Sequence, residues 1–312
     1  MTNNKRTGAP QKTLESYLSA PSTNAISLAD YMNAPASAFL RYVCDAFDAF
    51  EHCRNKFTRR ADGTYNKDSD DSLQHLAVAI VATTMGHFET YQKCLFAGLF
   101  ERTRYFSTFD PTKVSKELQN PTIDLTRFCA YRGVAAPVGL TVADALPSWH
   151  SAEAVNRHFW ALGIKQNVFS NEDIAALSLL WQFRHSIVHT GGWLTLPDSQ
   201  KVKQLYGKGD RAIAFKHTFI NALARRLHKL VKAVNSRLAD GISPLLKTPV
   251  ASEVQADLDA FLFISSPKPV WLDAAQPADE AIPPQGHRSI IVGPVRAAVP
   301  QVIGKPFGGR NA

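Results

Sequence analysis

The sequence predicts an all-α fold. Two observations carry this: apolar residues recur at helical spacing over several long segments, and helix caps and Gly or Pro stops punctuate those segments. Composition agrees. The 312 residues are 45% hydrophobic and 20% charged, which is ordinary for a globular chain. A wholly disordered chain, a collagen-like repeat and a coiled-coil rod are excluded. At about 150 residues per domain, the length fits two domains, or one with long extensions.

Residues 1–35 are rich in Ser, Thr, Asn, Ala and Pro and are expected to be an irregular N-terminal segment. From Ser37 to Arg59, the spacing of Phe39, Leu40, Val43, Cys44, Phe47 and Phe50 predicts a helix. Residues 61–71 read as a polar loop. Asp71 is the expected N-cap of a long helix from Ser72 to Tyr105, in which Gly86 and Gly98 mark kinks or close packing. Pro111, Pro121, Pro137 and Pro147 break the next stretch into short pieces, with a helix near Leu125–Tyr131. Ser151 caps a helix that ends at Gly163.

Ser170 and Asp173 form a capping box that opens a helix to Thr190, where Gly191–Gly192 stops it. WLTL (193–196) reads as a brief extended piece. Helices are expected over Asp210–Leu238 and near Val254–Phe263. Eight of the 18 prolines lie from Pro267 onward, without periodicity. Residues 265–312 are therefore expected to be a disordered tail, because such a composition buries too little surface to offset chain entropy. The folded unit is expected over 36–264.

The four cysteines, Cys44, Cys53, Cys94 and Cys129, form no C-x-x-C pair and are too sparse for a disulfide framework. They read as reduced, mostly buried thiols of a cytoplasmic protein. The polar start carries no apolar signal-peptide core. The longest apolar stretch, Leu76–Met85, is far short of the roughly 20 residues that cross a bilayer. No membrane association is expected.

The segment NEDIAALSLLWQFRHSIVHTGG (171–192) holds most of the functional information. Stepping about 100° per residue from Ile174 puts Leu177, Leu180, Trp181, Ile187 and Val188 between roughly 220° and 340°, with Arg184 near 280°. Arg184 thus falls inside the apolar stripe, and His185 and His189 fall at its edge. Leu179 and Phe183 fall outside it, so the helix is expected to be covered on more than one side. A guanidinium within a buried stripe must meet a carboxylate, several carbonyls or an anion. One reading is a buried ion pair, with Glu89 as partner. The other is a cleft in which Arg184 meets phosphate beside two imidazoles.

The second reading suits metal-independent RNA cleavage. That reaction needs a base for the 2′-OH, an acid for the 5′-oxygen and a cation for the phosphorane. Arg184 and His189 are about 7.5 Å apart along the helix and about 140° apart around it. One helix does not converge both on one phosphate, whereas two copies facing across a two-fold axis would form a composite site.

The net charge is +8, which favours a polyanionic partner. Residues 201–237 hold ten Lys or Arg against one Asp. Lys201, Lys203, Lys208, Arg211, Lys216, Arg225, Arg226 and Lys229 are the candidate RNA-binding residues; a solvated helix face is the alternative. His185 and His189 also have the spacing of two metal ligands on a helix, but no H-E-x-x-H and no third ligand accompany them. No metal and no cofactor are expected. His217 and His228 read as packing or RNA-contact residues, and His75 and His87 as structural. Glu89 is a candidate supporting carboxylate for Arg184 or a histidine.

LWQFRHSIVHTGG resembles the signature helix of HEPN domains, whose motif is an Arg, usually a polar residue, then three to five residues and a His. Arg184, His185 and His189 match it, and the resemblance covers residues 72–240. It implies an up-and-down helical bundle that dimerises through the motif helix. Here the bundle would carry an extra N-terminal helix. The resemblance also implies a metal-independent endoribonuclease of toxin–antitoxin or antiviral defence systems. Arg184 and His189 would be the catalytic pair, with His185 as the accompanying polar residue. Expected partners are RNA, a second copy of the chain, and an antitoxin or trigger protein. The alternative is a non-catalytic HEPN-like module that binds RNA or a nucleotide, or only dimerises.

Overall fold

The computed structural model describes residues 13–17, 19, 25–130 and 137–265. The expected disordered tail falls almost wholly outside that range, as does much of the N-terminal segment. Part of that segment is not irregular. Ser27 and Asp30 cap each other and open helix α1 (Leu28–Asn33). Helix α2 (Pro35–Lys56) follows after one residue and begins at a proline, whose fixed φ suits the first turn.

The long helix α3 spans Lys67–Arg102. It starts earlier than Asp71 because the Asn66 side chain accepts the Ser69 amide at 2.8 Å. The run 66–72 offers several residues able to cap, and polarity alone does not choose among them. The apolar residues of α3 surround the helix rather than line one face. Leu73, Val81, Met85, Phe88, Tyr91, Cys94, Leu95, Phe96, Ala97 and Leu99 are all buried. A helix apolar on all sides becomes the axis of its domain. Against α3 pack α1, α2 and later helices that include α6 (Val138–Ala145), α7 (Ala152–Ala161), α8 (Asn171–His189) and α10 (Phe219–Ile242). Helix α4 (Pro111–Glu117) contacts α7, and α5 is Leu125–Ala130.

Helix α6 lies very close to α3. A Cβ on Gly139 would stand 2.3 Å from the Ala97 carbonyl oxygen, and the Gly139 amide donates to Glu101 at 2.6 Å. Gly98 also marks close packing, since a Cβ there would meet the Phe261 ring at 2.3 Å. Around Gly86, by contrast, there is open space. His87 is structural, stacked on Tyr42 and 2.8 Å from the Tyr31 hydroxyl. His75 is exposed, contrary to expectation. Among the thiols, Cys44 and Cys94 are buried, Cys53 is half-buried and Cys129 is exposed.

After α8 the chain forms a small hairpin. Strand β1 (Trp193–Leu194) pairs antiparallel with β2 (Arg211–Ala212), and the short helix α9 (Leu196–Ser199) lies between them. The extended reading of WLTL therefore holds for its first two residues. Helix α10 (Phe219–Ile242) begins nine residues later than expected and runs past Leu238. The reason is tertiary. Ile213 packs with the hairpin, and the Phe215 backbone is clamped by the Gln74 side chain, which donates to its carbonyl and accepts from its amide. Helix α11 (Ser252–Phe261) closes the described chain on α3 through Phe261. No helix among the described residues is long and apolar enough to cross a membrane.

Candidate functional site

Helix α8 is held firmly at its start. Ser170 and Asp173 form the expected capping box. Asp173 also accepts from Arg237 of α10 at 2.6 Å, and Arg237 reaches the Val168 carbonyl at 2.9 Å. Burial pushes the Asp173 carboxyl up, but the Ser170 bonds and Arg237 outweigh it and leave it below its ordinary value. The Asn156 side chain brackets Phe169 with bonds to its carbonyl and amide at 2.9 and 2.8 Å. Arg237 therefore serves structure and is lost from the basic row.

The apolar stripe of α8 is buried only in its first half. Leu177, Leu180 and Trp181 are buried, but Val188 is 52% exposed. Arg184 is half-buried rather than buried, because the stripe leaves the core at the last turns. Among the described residues Arg184 makes no ion pair or hydrogen bond. The buried Arg184–Glu89 pair is not formed. Leu179 and Phe183 do meet a second covering layer. They pack on a small cluster of Leu194, Val202 and Leu205 in the hairpin.

Two histidines follow Arg184 on the same helix. His185 and His189 lie with ring centroids 4.8 Å apart, as residues one turn apart on a helix can. The hairpin brings to His185 a carboxylate that the sequence did not reveal. Asp198 Oδ1 is 3.9 Å from His185 Nε2 and 2.7 Å from Lys201 Nζ. Thr195 caps α9 and also donates to Asp198 at 2.9 Å. The Lys201 hydrogen bond, with help from Thr195 and the nearby charges, holds the Asp198 carboxyl below its ordinary value. Lys201 is thus a partner of Asp198 as well as a candidate phosphate contact.

Glu89 acts elsewhere than expected. Its carboxylate is 2.8 Å from His150 Nε2 and 3.0 Å from Lys93 Nζ. The His150 hydrogen bond, then Lys93, hold its carboxyl at about 2 against the opposing effect of burial. His150 packs against Trp181 of α8 at a centroid distance of 4.5 Å. Glu89 therefore supports His150, whose ring covers Trp181, and Trp181 lies one turn before Arg184 on α8. No sequence signal points to His150, since the contact spans 61 residues.

The basic row divides in two. Lys201, Lys203, Lys208, Arg211 and Lys216 are exposed on the hairpin and its exit. On α10, Arg226 and Lys229 are exposed and Arg225 is half-buried. Arg226 lies 4.0 Å from Glu172 at the start of α8. His228 is buried in the α10 core face, and His217 pairs with Asp70 at 3.1 Å. His217 lines a separate hollow of about 400 Å³ with Arg54, Arg59, Gly63, Thr64, Tyr65 and Asp70. Among the described residues no group of three or more His, Cys, Asp or Glu is arranged to hold a metal ion.

The arrangement offers one guanidinium, two imidazoles and a recessed carboxylate at the open end of α8, beside exposed lysines. Such groups can bind phosphate and move protons near neutral pH. Comparison with protein-family models, with curated proteins and with solved structures gives no match for this chain.

Proposed function

We propose that the chain is a metal-independent endoribonuclease of HEPN type that acts as a homodimer. The observation that supports it most is the end of α8. Arg184 reaches partial exposure without a carboxylate among the described residues, and two imidazoles that lie close to each other follow it on the same helix.

In this reading an imidazole takes the proton of the 2′-OH, and the 2′-oxygen attacks the adjacent phosphorus. The P–O5′ bond breaks, and the departing 5′-oxygen receives a proton from the second acid. The products carry a 2′,3′-cyclic phosphate and a 5′-hydroxyl. His189 moves protons and His185 assists it. Arg184 balances the charge of the pentacovalent phosphate. The exposed lysines and arginines of the hairpin and α10 hold the RNA backbone, which gives affinity rather than sequence choice. Control by an antitoxin or trigger, and a role in defence, follow from the HEPN resemblance alone.

The test compares wild type with Arg184→Ala and His189→Ala on total RNA and a tRNA pool, with EDTA present. Cleavage by wild type only supports the reading. Equal background from all three folded proteins removes it and favours the non-catalytic binding module.

A further inference from the structure

The hairpin after α8 carries an unusual tryptophan. Trp193 is held at every end. Its amide donates to the Thr190 carbonyl at 3.1 Å, and its own carbonyl accepts from the Thr190 hydroxyl. The residue pairs with Ala212 across the hairpin, and its indole N–H donates to Asp210 at 3.3 Å. Yet 45% of Trp193 is exposed. An indole fixed in place and left open to water offers a flat apolar face at little further cost in side-chain entropy.

The chemistry around this face is basic. Lys203, Lys208 and Arg211 are exposed on the same hairpin, and among the described residues none meets a carboxylate. The two acids of the hairpin are already engaged, Asp198 by Lys201 and Asp210 by the indole. A second ring, Tyr206, is 56% exposed in the loop between Lys203 and Lys208. Cations interleaved with open aromatic rings are what single-stranded nucleic acid requires. Phosphates take the charges, and unpaired bases stack on the rings. A duplex keeps its base faces stacked within itself and offers none to the indole. Trp193 lies four residues beyond His189, at the open end of α8.

We propose that the 193–212 hairpin is a docking platform for single-stranded RNA, with an unpaired base stacked on Trp193 and flanking phosphates on Lys203, Lys208 and Arg211. The proposal rests on the ribonuclease reading and narrows its substrate class to unpaired RNA. It places the scissile phosphate near His189, a few nucleotides from the stacked base.

The experiment uses the full chain carrying His189→Ala, so that RNA is bound without being cut. Binding of a fluorescein-labelled 12-nucleotide RNA is measured by anisotropy, alone and annealed to its complement. The single strand is expected to bind at least tenfold tighter than the duplex. Adding Trp193→Ala is expected to weaken single-strand binding roughly tenfold, whereas Trp193→Phe retains most of it. Tyr206→Ala provides a second variant that does not touch the hairpin hydrogen bonds.

Unchanged single-strand affinity in Trp193→Ala, or a preference for duplex, overturns the platform and leaves the RNA reading standing. Dissociation of the RNA-free protein into monomers by Trp193→Ala, seen by sedimentation, assigns the ring to a protein interface and overturns it too. Absence of RNA binding in any form, together with an inactive wild type, removes the RNA reading and the platform with it.

Discussion

His185 Nε2 lies 3.9 Å from Asp198 Oδ1, across the turn that joins α8 to the hairpin. The distance is too long for a hydrogen bond, so the coupling is electrostatic. The carboxylate is held in place by Lys201 and Thr195, and the imidazole is left partly open to solvent. The hairpin thereby sets a carboxylate, itself paired with Lys201, against His185.

Asp198→Asn is predicted to reduce RNA cleavage about tenfold by loosening α9 and removing the charge beside His185. Its hydrogen bonds keep the carboxyl below its ordinary value, so Asp198 is ionised throughout the assay range. The carboxylate itself does not titrate there, so a change in the shape of the rate profile from about pH 6 to 8 reports the imidazole that faces it. Rate profiles of the variant and of wild type check both the size of the loss and the change in shape; identical profiles would show that Asp198 does not act through His185.

A composite site makes a specific prediction for mixed dimers. Arg184→Ala and His189→Ala proteins are each expected to be inactive. Mixed in equal amounts and allowed to exchange, they should regain about a quarter of wild-type activity. Half of the dimers would then be hybrids, each with one intact Arg–His pair. Sites completed within one chain would give no recovery.

The Glu89 carboxyl is held at about 2 in the folded chain, below its ordinary value of 4.5. A depressed folded value means that the stabilisation is complete above 4.5 and is lost as pH falls through about 2. Glu89→Gln is predicted to cost about 1 kcal/mol near neutral pH, since it removes the carboxylate that Lys93 and His150 share, while Lys93 keeps Asp144 and His150 keeps water. The difference from wild type should shrink steadily below about pH 4.5. Urea unfolding at several pH values measures it.

Gly139→Ala is predicted to destabilise the fold by about 2 kcal/mol, because the added methyl meets the backbone carbonyl of Ala97, which cannot swing aside. Gly86→Ala, with open space around it, should be neutral or slightly stabilising, by less than about 1 kcal/mol. Thermal unfolding of the two variants separates close packing from mere helix propensity.

Much of the helical architecture is legible from local signals. The capping box of Ser170 and Asp173 places the start of α8 correctly, because both partners lie within one turn. The starts of α3 and α10 are not legible in the same way. At Asn66–Asp71 several residues can cap, and at Asp210 the apolar spacing continues through Ile213 and Phe215. Contacts with Gln74 and the hairpin cluster then draw those residues out of the helix. The motif residues Arg184, His185 and His189 can be found from spacing along one helix. Asp198 and His150 cannot, because a loop and a 61-residue separation bring them to their partners. Glu89 was visible as an acid on a neighbouring helix, but its actual partner depends on where the chain before α7 returns.

The central claim is attack by a ribose 2′-OH at the end of α8. Its most direct test takes an RNA oligonucleotide cut by the wild-type protein in EDTA and replaces the single ribose 5′ of the cut with 2′-deoxyribose. The account predicts that cleavage at that position is abolished, and that the all-ribose products carry 2′,3′-cyclic phosphate and 5′-hydroxyl ends. Cleavage that survives the deoxy substitution, or products with 5′-phosphate ends, would contradict it.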